Sequence, residues 1–472
     1  MKRCSVVGLI DSKDTVELSN PDSILLSLVL PNKHENTKYG VGAFVKRAKK
    51  VINDPNIHAS ELLNLAALIY AADTRISRKE NSQDGWTREF DIYFPVNNVQ
   101  EWEPIRRNIQ DILSFLTGDL WRIFLRARPE EKPLEPLQCD REEKLQINAV
   151  SLLSGGLDSF IGAIDLLESK NNTIFMGHYT ADGTQNYQNL IESALKNEYP
   201  DYFKEYIKGN VSFNKRVIDD QHKSIASENS QRSRSFLFLA MGAYLASGVG
   251  GVCKLVVPEN GFIALNVPLD PLRIGANSTK TVHPNFMSKI NDIFKYLELG
   301  IDLRNPYRHS TKGEMMSDCL NQKLLSEHAF KTLSCASQGK MRWDNGNKAK
   351  RLGGAGGNGN CGYCFPCLIR KAAFKKSAVA DDTQYVAISD FAKAEIKSGK
   401  SGKGYAESRD ILSVQFAGYK LNKGLINPAI EIHKSGSLST VEDEWSTIAD
   451  MYRRGLNEVY ELVKDVPIKQ TL

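Results

Sequence analysis

Two short stretches of the sequence contain residue types that could do chemistry. The first is SGGLDS, from Ser154 to Ser159. The apolar run before it (147–153) predicts a buried strand, and apolar residues three and four apart after it (160–167) predict a helix. The first N–H groups of a helix have no partner inside it and lie at the positive end of its dipole, and glycines let a ligand approach them closely. The sequence therefore predicts a turn that binds an anion such as phosphate.

The second stretch is CGYCFPC, which places Cys361, Cys364 and Cys367 at overlapping C-x-x-C spacing, with Cys335 upstream as a distant fourth cysteine. Tight C-x-x-C turns present their sulfurs to one ion, and the distant cysteine completes a tetrahedron. A closed shell of four thiolates predicts a structural zinc site. An iron–sulfur cluster uses the same ligand type and is the alternative.

The bulk composition is typical of a cytoplasmic protein. The chain has 472 residues, of which 41% are hydrophobic, and a net charge of +5. No apolar run approaches the roughly 20 residues that span a membrane, and the apolar stretch near the start is too short for a signal peptide. The small net charge does not favour a nucleic-acid partner. The four remaining cysteines are expected to be buried packing residues, not disulfides: Cys4, Cys139, Cys253 and Cys319.

Changes in pattern divide the chain into four parts. Residues 1–127 predict an α+β N-terminal module, and the proline-rich, charged segment 128–146 predicts a linker. Residues 147–376 alternate strand and helix, which predicts an α/β domain with a doubly wound parallel sheet and the anion-binding turn at the carboxyl end of its first strand. This domain includes a small zinc-binding subdomain over 335–370. Residues 377–472 predict a helical extension.

The two motifs together resemble a known family. SGGLDS resembles the pyrophosphate loop of the ATP-pyrophosphatase (PP-loop) superfamily, and TLSC…CGYCFPCLIRKAAF resembles a segment of the 7-cyano-7-deazaguanine synthases, the QueC family. The matching positions of that segment are Thr332, Ser334, Cys335, Cys361, Gly362, Cys364, Cys367 and Arg370. The resemblance covers about 147–376 and implies a sheet of the adenine-nucleotide α-hydrolase type.

The resemblance also implies roles for individual residues. ATP would bind at the loop and its flanks: Leu153, Ser154, Gly155, Gly156, Leu157, Asp158, Ser159 and Phe160. Asp158 would cap local N–H groups or meet Mg²⁺. Arg234 (in RSRSFLFLA, with Ser235 where the family has Asn) and Lys312 (in HSTKGEM) would stabilise charge on the α-phosphate. For Arg234 and Lys312, ordinary surface charge is the alternative.

The implied reaction is the activation of a carboxylate. Enzymes of this kind use ATP to adenylate 7-carboxy-7-deazaguanine with release of pyrophosphate, an amine then displaces AMP to give an amide, and the synthases use a second ATP to form a nitrile. This chain departs from them in its N-terminal module, in GHYTADGTQNYQ (177–188) in place of a Tyr-Gly-Gln element, and in a longer segment over 259–286. Lys280 and His283 of that segment either line the active site or cap a loop.

The additions resemble the enlarged QueC-like proteins of bacterial anti-phage systems. DGWTREFDIYFPV (84–96) and FLTGDLWRIFL (115–125) carry this likeness, which is strongest to the QatC components of the Qat system; a related type occurs in cyclic-oligonucleotide (CBASS) defence. The likeness implies that a partner protein of the same operon, docked on the N-terminal module, supplies the accepting amine in place of ammonia.

Other functions stay open at this stage. The chain could be a scaffold that binds ATP or a deazaguanine without turnover, or a plain synthase of queuosine biosynthesis. A tRNA sulfurtransferase or another RNA-modifying enzyme is disfavoured by the small net charge. The segment KSGKSGKG (397–404) has Ala394 where a Walker loop requires glycine and has no predicted strand before it. We interpret that segment as a basic loop.

Overall fold

The protein is α/β, with one four-stranded and one five-stranded sheet, both parallel. The computed structural model describes the chain except for these residues: 1–2, 22, 83, 139–144, 180–183, 214–216, 219–223, 229, 270–279, 337–358, 393–395, 399–401 and 471–472. Cys139 and most of the glycine-rich stretch 351–360 therefore lie outside the described residues. Among the helices that the structure describes, none has both the length and the apolar character needed to cross a membrane.

The N-terminal module is a parallel sheet covered by helices. Its elements are β1 (Cys4–Leu9), β2 (Ile24–Val29), α1 (Val41–Ala48), α2 (Ile57–Arg75), α3 (Arg78–Asn81), β3 (Glu89–Val96), α4 (Val99–Thr117) and β4 (Leu120–Ala127). The strand order is β2-β1-β3-β4 and each pairing is parallel. All of β3 is buried, as expected of a strand covered on both faces. The α+β prediction for this module was wrong, because all three strand pairings are parallel. Helices connect β2 to β3 and β3 to β4, as is usual for parallel strands, whereas the described residues between β1 and β2 contain none.

The second sheet contains the predicted anion-binding turn. Its elements are β5 (Ala149–Leu152), α5 (Leu157–Glu168), β6 (Thr173–His178), α6 (Thr184–Glu198), β7 (Phe203–Gly209), α7 (Arg234–Ser247), β10 (Cys253–Val256), α8 (Gly261–Leu265), α9 (Pro284–Tyr296) and β11 (Ile301–Arg304), with a separate hairpin of β8 (Val217–Ile218) and β9 (Ser224–Ile225). The strand order is β11-β10-β5-β6-β7. The chain runs from β5 through β6 to β7 and then returns to the other side of β5. Such a reversal leaves a crevice at the carboxyl ends of the two central strands, here β5 and β10.

One hydrophobic core joins the two sheets. It contains residues of α2, such as Leu68, and residues of α7, such as Phe236 and Tyr244, all fully buried. The predicted linker is part of this packing, since Leu134 and Leu137 are buried too. The N-terminal module therefore packs against the second sheet along α2 and α7.

The last part of the chain is mainly helical, as predicted. It follows α10 (Lys312–Ser317), α11 (Gln322–His328) and α12 (Phe365–Ser377), and consists of β12 (Ile396–Ser398), α13 (Gly402–Asn422), α14 (Pro428–Glu431), α15 (Trp445–Val463) and β13 (Ile468–Gln470). A second core joins α13 and α15 to α8 and α12. The interpretation of KSGKSGKG as a loop with no strand before it was wrong, because β12 ends at Ser398 within it and pairs with β13, and α13 begins at Gly402. Residues 399–401 of that segment lie outside the described residues.

Candidate functional site

The SGGLDS turn connects the end of β5 to α5. Gly156 is the N-cap residue of α5, and no side chain caps the first N–H groups of this helix. The hydroxyls of Ser154 and Ser159 lie 3.1 Å apart, and the Ser159 hydroxyl donates to the Gly156 carbonyl. Ser154 is exposed and Gly156 is half-buried, so the turn is open to solvent. A helix start without a side-chain cap, next to the exposed Ser154, is suited to bind an anion.

Gly155 has a backbone conformation that favours glycine. Its φ is +88°, in the left-handed region, and a Cβ there would lie 3.2 Å from Cγ of Gln188 on α6. Gln188 is fully buried, and its amide nitrogen donates to the carbonyls of Ser154 and His178. The turn is therefore held tightly against α6.

Gly155→Ala is expected to distort the turn. A side chain in the left-handed region costs roughly 1–2 kcal/mol, and the new methyl group would press on Gln188. We expect a lower thermal midpoint and weaker binding of ATP, measured by calorimetry. Gly424→Ala is the matched control, because Gly424 also has a positive φ (+67°) but lies in open space. Equal ATP affinities for the two variants would contradict the role of Gly155.

The structure brings Asp158 and Lys312 together across the crevice. The Lys312 Nζ lies 3.0 Å from Asp158 Oδ1. The other oxygen, Asp158 Oδ2, accepts the side-chain and backbone N–H groups of Asn260 at 2.7 and 3.2 Å. Asp158 thus caps a distant N–H group, not the local ones expected. Lys312 is only 5% exposed, so the alternative of a plain surface charge is wrong for this residue.

Glu259 is a candidate site residue that the sequence motifs did not reveal. It follows β10, is half-buried and lies next to Asn260. Burial and the charge of Asp158 raise the pKa of Glu259 to about 8, although Lys312 acts in the opposite direction. The site therefore holds two acidic side chains and one lysine beside the SGGLDS turn (154–159), which is called the phosphate turn below. In the sequence, Glu259 stands in PENG (258–261), a polar stretch after an apolar run. Only the sheet order places this stretch beside SGGLDS.

Ionisation of Glu259 is expected to make stability depend on pH. The folded protein holds this proton up to about pH 8, whereas an unfolded glutamate releases it near 4.5. The free energy of unfolding should therefore fall as the pH rises between these values. Glu259→Gln should flatten the fall, measured as the thermal midpoint against pH without added metal. Identical pH profiles for wild type and variant would contradict this.

The C-terminal helix α15 holds the helix that carries Lys312. Thr311 caps α10 in a capping box with Glu314. The carboxylate of Glu458 accepts the Thr311 hydroxyl at 2.8 Å, and Arg454 donates to the Glu314 carboxylate at 2.7 Å. The extension after residue 376 therefore helps to position Lys312.

The four cysteines of the predicted zinc site lie together. The sulfurs of Cys335, Cys361, Cys364 and Cys367 are all within 4.8 Å of one another. The Cys335–Cys364 and Cys361–Cys367 pairs are each 3.8 Å apart. Four sulfurs bound at 2.3 Å to one zinc ion in a tetrahedron would be about 3.8 Å apart. The cluster could therefore hold a metal such as zinc, and its size fits a single ion.

Local structure explains the CGYC spacing. Gly362 has a φ of +89°, and a Cβ there would lie 1.9 Å from the Ile388 carbonyl oxygen. Cys364 is the N-cap residue of α12, so Cys364 and Cys367 lie at the positive end of that helix, which favours thiolates. Hydrogen bonds with the other three thiols raise the pKa of Cys361. Sulfurs this close together therefore favour the neutral thiol form unless a cation binds them as thiolates.

The cysteine cluster adjoins the phosphate turn. Leu333, two residues before Cys335, donates its N–H to the Gly155 carbonyl at 2.9 Å. Arg370 is fully buried and donates to Thr332 Oγ1 at 2.6 Å and to the Ala329 carbonyl at 2.8 Å. Segment 332–335 is therefore fixed by the cluster and Arg370 on one side and contacts the turn on the other.

The remaining predicted residues have contacts with other elements than the turn. Arg234 is half-buried at the start of α7, with its guanidinium 5.5 Å from the Phe238 ring centre. His283 is the N-cap of α9 and is buried, and burial lowers its pKa to about 3. The Lys280 ammonium lies 4.0 Å from the Phe115 ring centre, on α4. The two interpretations of His283 were that it lines the active site or that it caps a loop. The structure places it in a helix cap.

Comparison with known proteins does not assign the site. No family model matches the chain, no curated protein matches it, and no solved structure matches it. The QueC-like resemblance therefore rests on the motifs alone. What the chain does has to be argued from those motifs and from the geometry of the crevice between β5 and β10.

Proposed function

We propose that the protein is an ATP-dependent, adenylate-forming ligase of the QueC-like type. It activates the carboxylate of 7-carboxy-7-deazaguanine and transfers the acyl group to an amine, with release of pyrophosphate and AMP. By the motif resemblance it acts in anti-phage defence, in the cytoplasm. The accepting amine belongs to a protein partner.

The observation that carries the proposal is the position of the SGGLDS turn. It lies at the reversal of the strand order, where open parallel sheets bind their ligands. Asp158, Asn260 and Lys312 come from both sides of this crevice and contact one another there. A structural role alone does not require a helix start without a side-chain cap beside a buried lysine.

The chemistry follows from where the charges lie. The N–H groups at the start of α5 and the hydroxyls of Ser154 and Ser159 would hold the β- and γ-phosphates. A carboxylate oxygen of the substrate attacks the α-phosphorus, the bond to the β-phosphate oxygen breaks, and pyrophosphate leaves. Lys312 would neutralise the negative charge that develops there. The amine then attacks the acyl carbon, loses a proton and expels AMP.

Two further ions fit the residues present. Mg²⁺ prefers carboxylate ligands; Asp158 would supply one, and Glu259 a second once the bound ion displaces its proton. Mg²⁺ would offset the charge of the phosphates. Among the residues that the structure describes, the cysteine cluster consists of four sulfurs, three of them on buried residues, which suits a structural Zn²⁺. Its place next to segment 332–335 would make it a support for the phosphate turn.

The direct test is to incubate the protein with ATP, Mg²⁺ and 7-carboxy-7-deazaguanine. Pyrophosphate release is followed while the products are identified by mass spectrometry. Release together with an acyl-adenylate, an amide or a protein conjugate would support the proposal. Binding of ATP without any release would refute it in favour of a scaffold without turnover.

A further inference from the structure

A group of aromatic side chains, with His178 and Phe238 half-buried and Tyr70 buried, lies one strand away from the SGGLDS turn. His178 ends β6, and its ring centre lies 5.4 Å from that of Phe238 on α7. Tyr70 of α2 meets the His178 ring edge to face at 6.3 Å. Gln188 links this group to the turn, because its amide bonds both the His178 and the Ser154 carbonyls.

Arg234 adds a positive charge to this group. Its guanidinium lies on the Phe238 ring, and its charge opposes the rise that burial causes in the pKa of Tyr70. Among the residues that the structure describes, no carboxylate forms an ion pair with Arg234. A half-buried guanidinium without an acidic partner favours an anionic ligand.

We propose that Arg234, Phe238, His178 and Tyr70 form the subsite for the planar ring and carboxylate of the substrate. This inference rests on the proposed function. Phe238 and His178 offer faces and edges to an aromatic ring, and Arg234 binds the carboxylate. His178 ends β6, and the SGGLDS turn follows the neighbouring strand β5, so the subsite adjoins the turn at the carboxyl ends of these two strands.

The N-terminal module builds one side of this subsite. Tyr70 comes from α2, and Asp73, one turn later on α2, accepts the backbone N–H of Ser233 at 2.8 Å. Ser233 is the N-cap residue of α7, directly before Arg234. The module therefore fixes the start of the helix that carries Arg234 and Phe238.

A buried network of charges holds Asp73 in place. Arg88 bonds Asp73 at 2.6 Å and Asp119 at 2.8 Å, and Arg78 bonds Asp119 at 2.7 Å. All four side chains are buried, so the network depends on each member. Arg88 lies in DGWTREFDIYFPV and Asp119 in FLTGDLWRIFL, so each of these two segments contributes one residue to the network.

Trp86 extends the network to the segment before α7. The guanidinium of Arg232 lies 4.2 Å from the Trp86 ring centre and donates to the Thr117 carbonyl at 3.0 Å. Trp86 is 39% exposed, so its removal should leave the core intact. It is therefore a site at which the contribution of the module can be tested without unfolding the protein.

The experiment measures two affinities by calorimetry, for ATP and for 7-carboxy-7-deazaguanine, in the full chain. Phe238→Ala should weaken binding of the deazaguanine about tenfold, which is the scale of one aromatic stack, and leave the affinity for ATP unchanged. Trp86→Ala should also weaken binding of the deazaguanine and leave the affinity for ATP unchanged. Phe416→Ala, which removes an exposed phenylalanine of α13, is the control and should change neither.

The outcomes separate this inference from the proposed function. Unchanged deazaguanine binding in Phe238→Ala would overturn the subsite, and unchanged binding in Trp86→Ala would overturn the contribution of the module. A wild-type protein that binds ATP but not the deazaguanine would overturn the subsite and leave the nucleotide site standing. A wild-type protein that does not bind ATP would refute the proposed function itself.

Discussion

Cys364→Ser is expected to remove the metal and much of the stability of the protein. Structural zinc sites supply roughly 10–16 kcal/mol of binding free energy that counts toward folding, which is comparable with the whole stability of a typical domain. Cys364 also begins α12 and lies beside Cys335. We expect less than one zinc per chain by atomic absorption, a lower thermal midpoint and poor solubility.

The matched control for this variant is Cys319→Ser. Cys319 is also buried, but it packs in a separate core with Met315 and Leu324. This variant should keep one zinc per chain and lose only the stability that follows from a polar group in a core. Full retention of zinc by Cys364→Ser would refute a site made of four cysteines.

Loss of the cysteine cluster should also change the structure of the phosphate turn. Segment 332–335 joins Cys335 to the Leu333–Gly155 hydrogen bond. Any Cys364→Ser protein that stays soluble should therefore bind ATP more weakly than wild type. Equal affinity would show that the turn holds its shape without the cluster.

Asp158→Ala is expected to abolish adenylation while the fold persists. Asp158 pairs with Lys312 and accepts the backbone and side-chain N–H groups of Asn260. It therefore positions the Lys312 ammonium group and the loop that contains Asn260. Loss of one positioned electrostatic group in an active site typically costs about 10²–10³-fold in rate. The measurement is pyrophosphate release with 7-carboxy-7-deazaguanine at saturating ATP.

A second variant, Asp158→Asn, distinguishes a loss of activity from a loss of the fold. The alanine leaves Lys312 buried without its partner, which destabilises proteins, whereas Asp158→Asn keeps the shape of the side chain. Asp302→Asn is the control, because Asp302 lies on β11 and pairs with the exposed Arg304; it should release pyrophosphate normally. Unchanged turnover in both Asp158 variants would rule out the pyrophosphate-loop assignment.

Much of the second sheet could be predicted from short patterns. The strand, turn and helix around SGGLDS depend on neighbouring residues, so the apolar run before Ser154 and the spacing after Phe160 were enough to place β5 and α5. The same holds for C-x-x-C, because two cysteines three residues apart can reach one ion from a single turn. The α+β prediction failed because local patterns do not report whether neighbouring strands run parallel.

The sequence by itself therefore determined the strand–turn–helix unit around SGGLDS and the C-x-x-C steps of the cysteine motif, since each is encoded by residues close together in the chain. Only the tertiary structure decided that Lys312, Asn260 and Glu259 meet Asp158, because they come from separate strand ends that the sheet order brings together. It also decided that Asp73, Arg78, Arg88 and Asp119 form one buried network. Charges this far from water are stable only when their partners satisfy them, and those partners lie on different elements, beyond the reach of any local pattern.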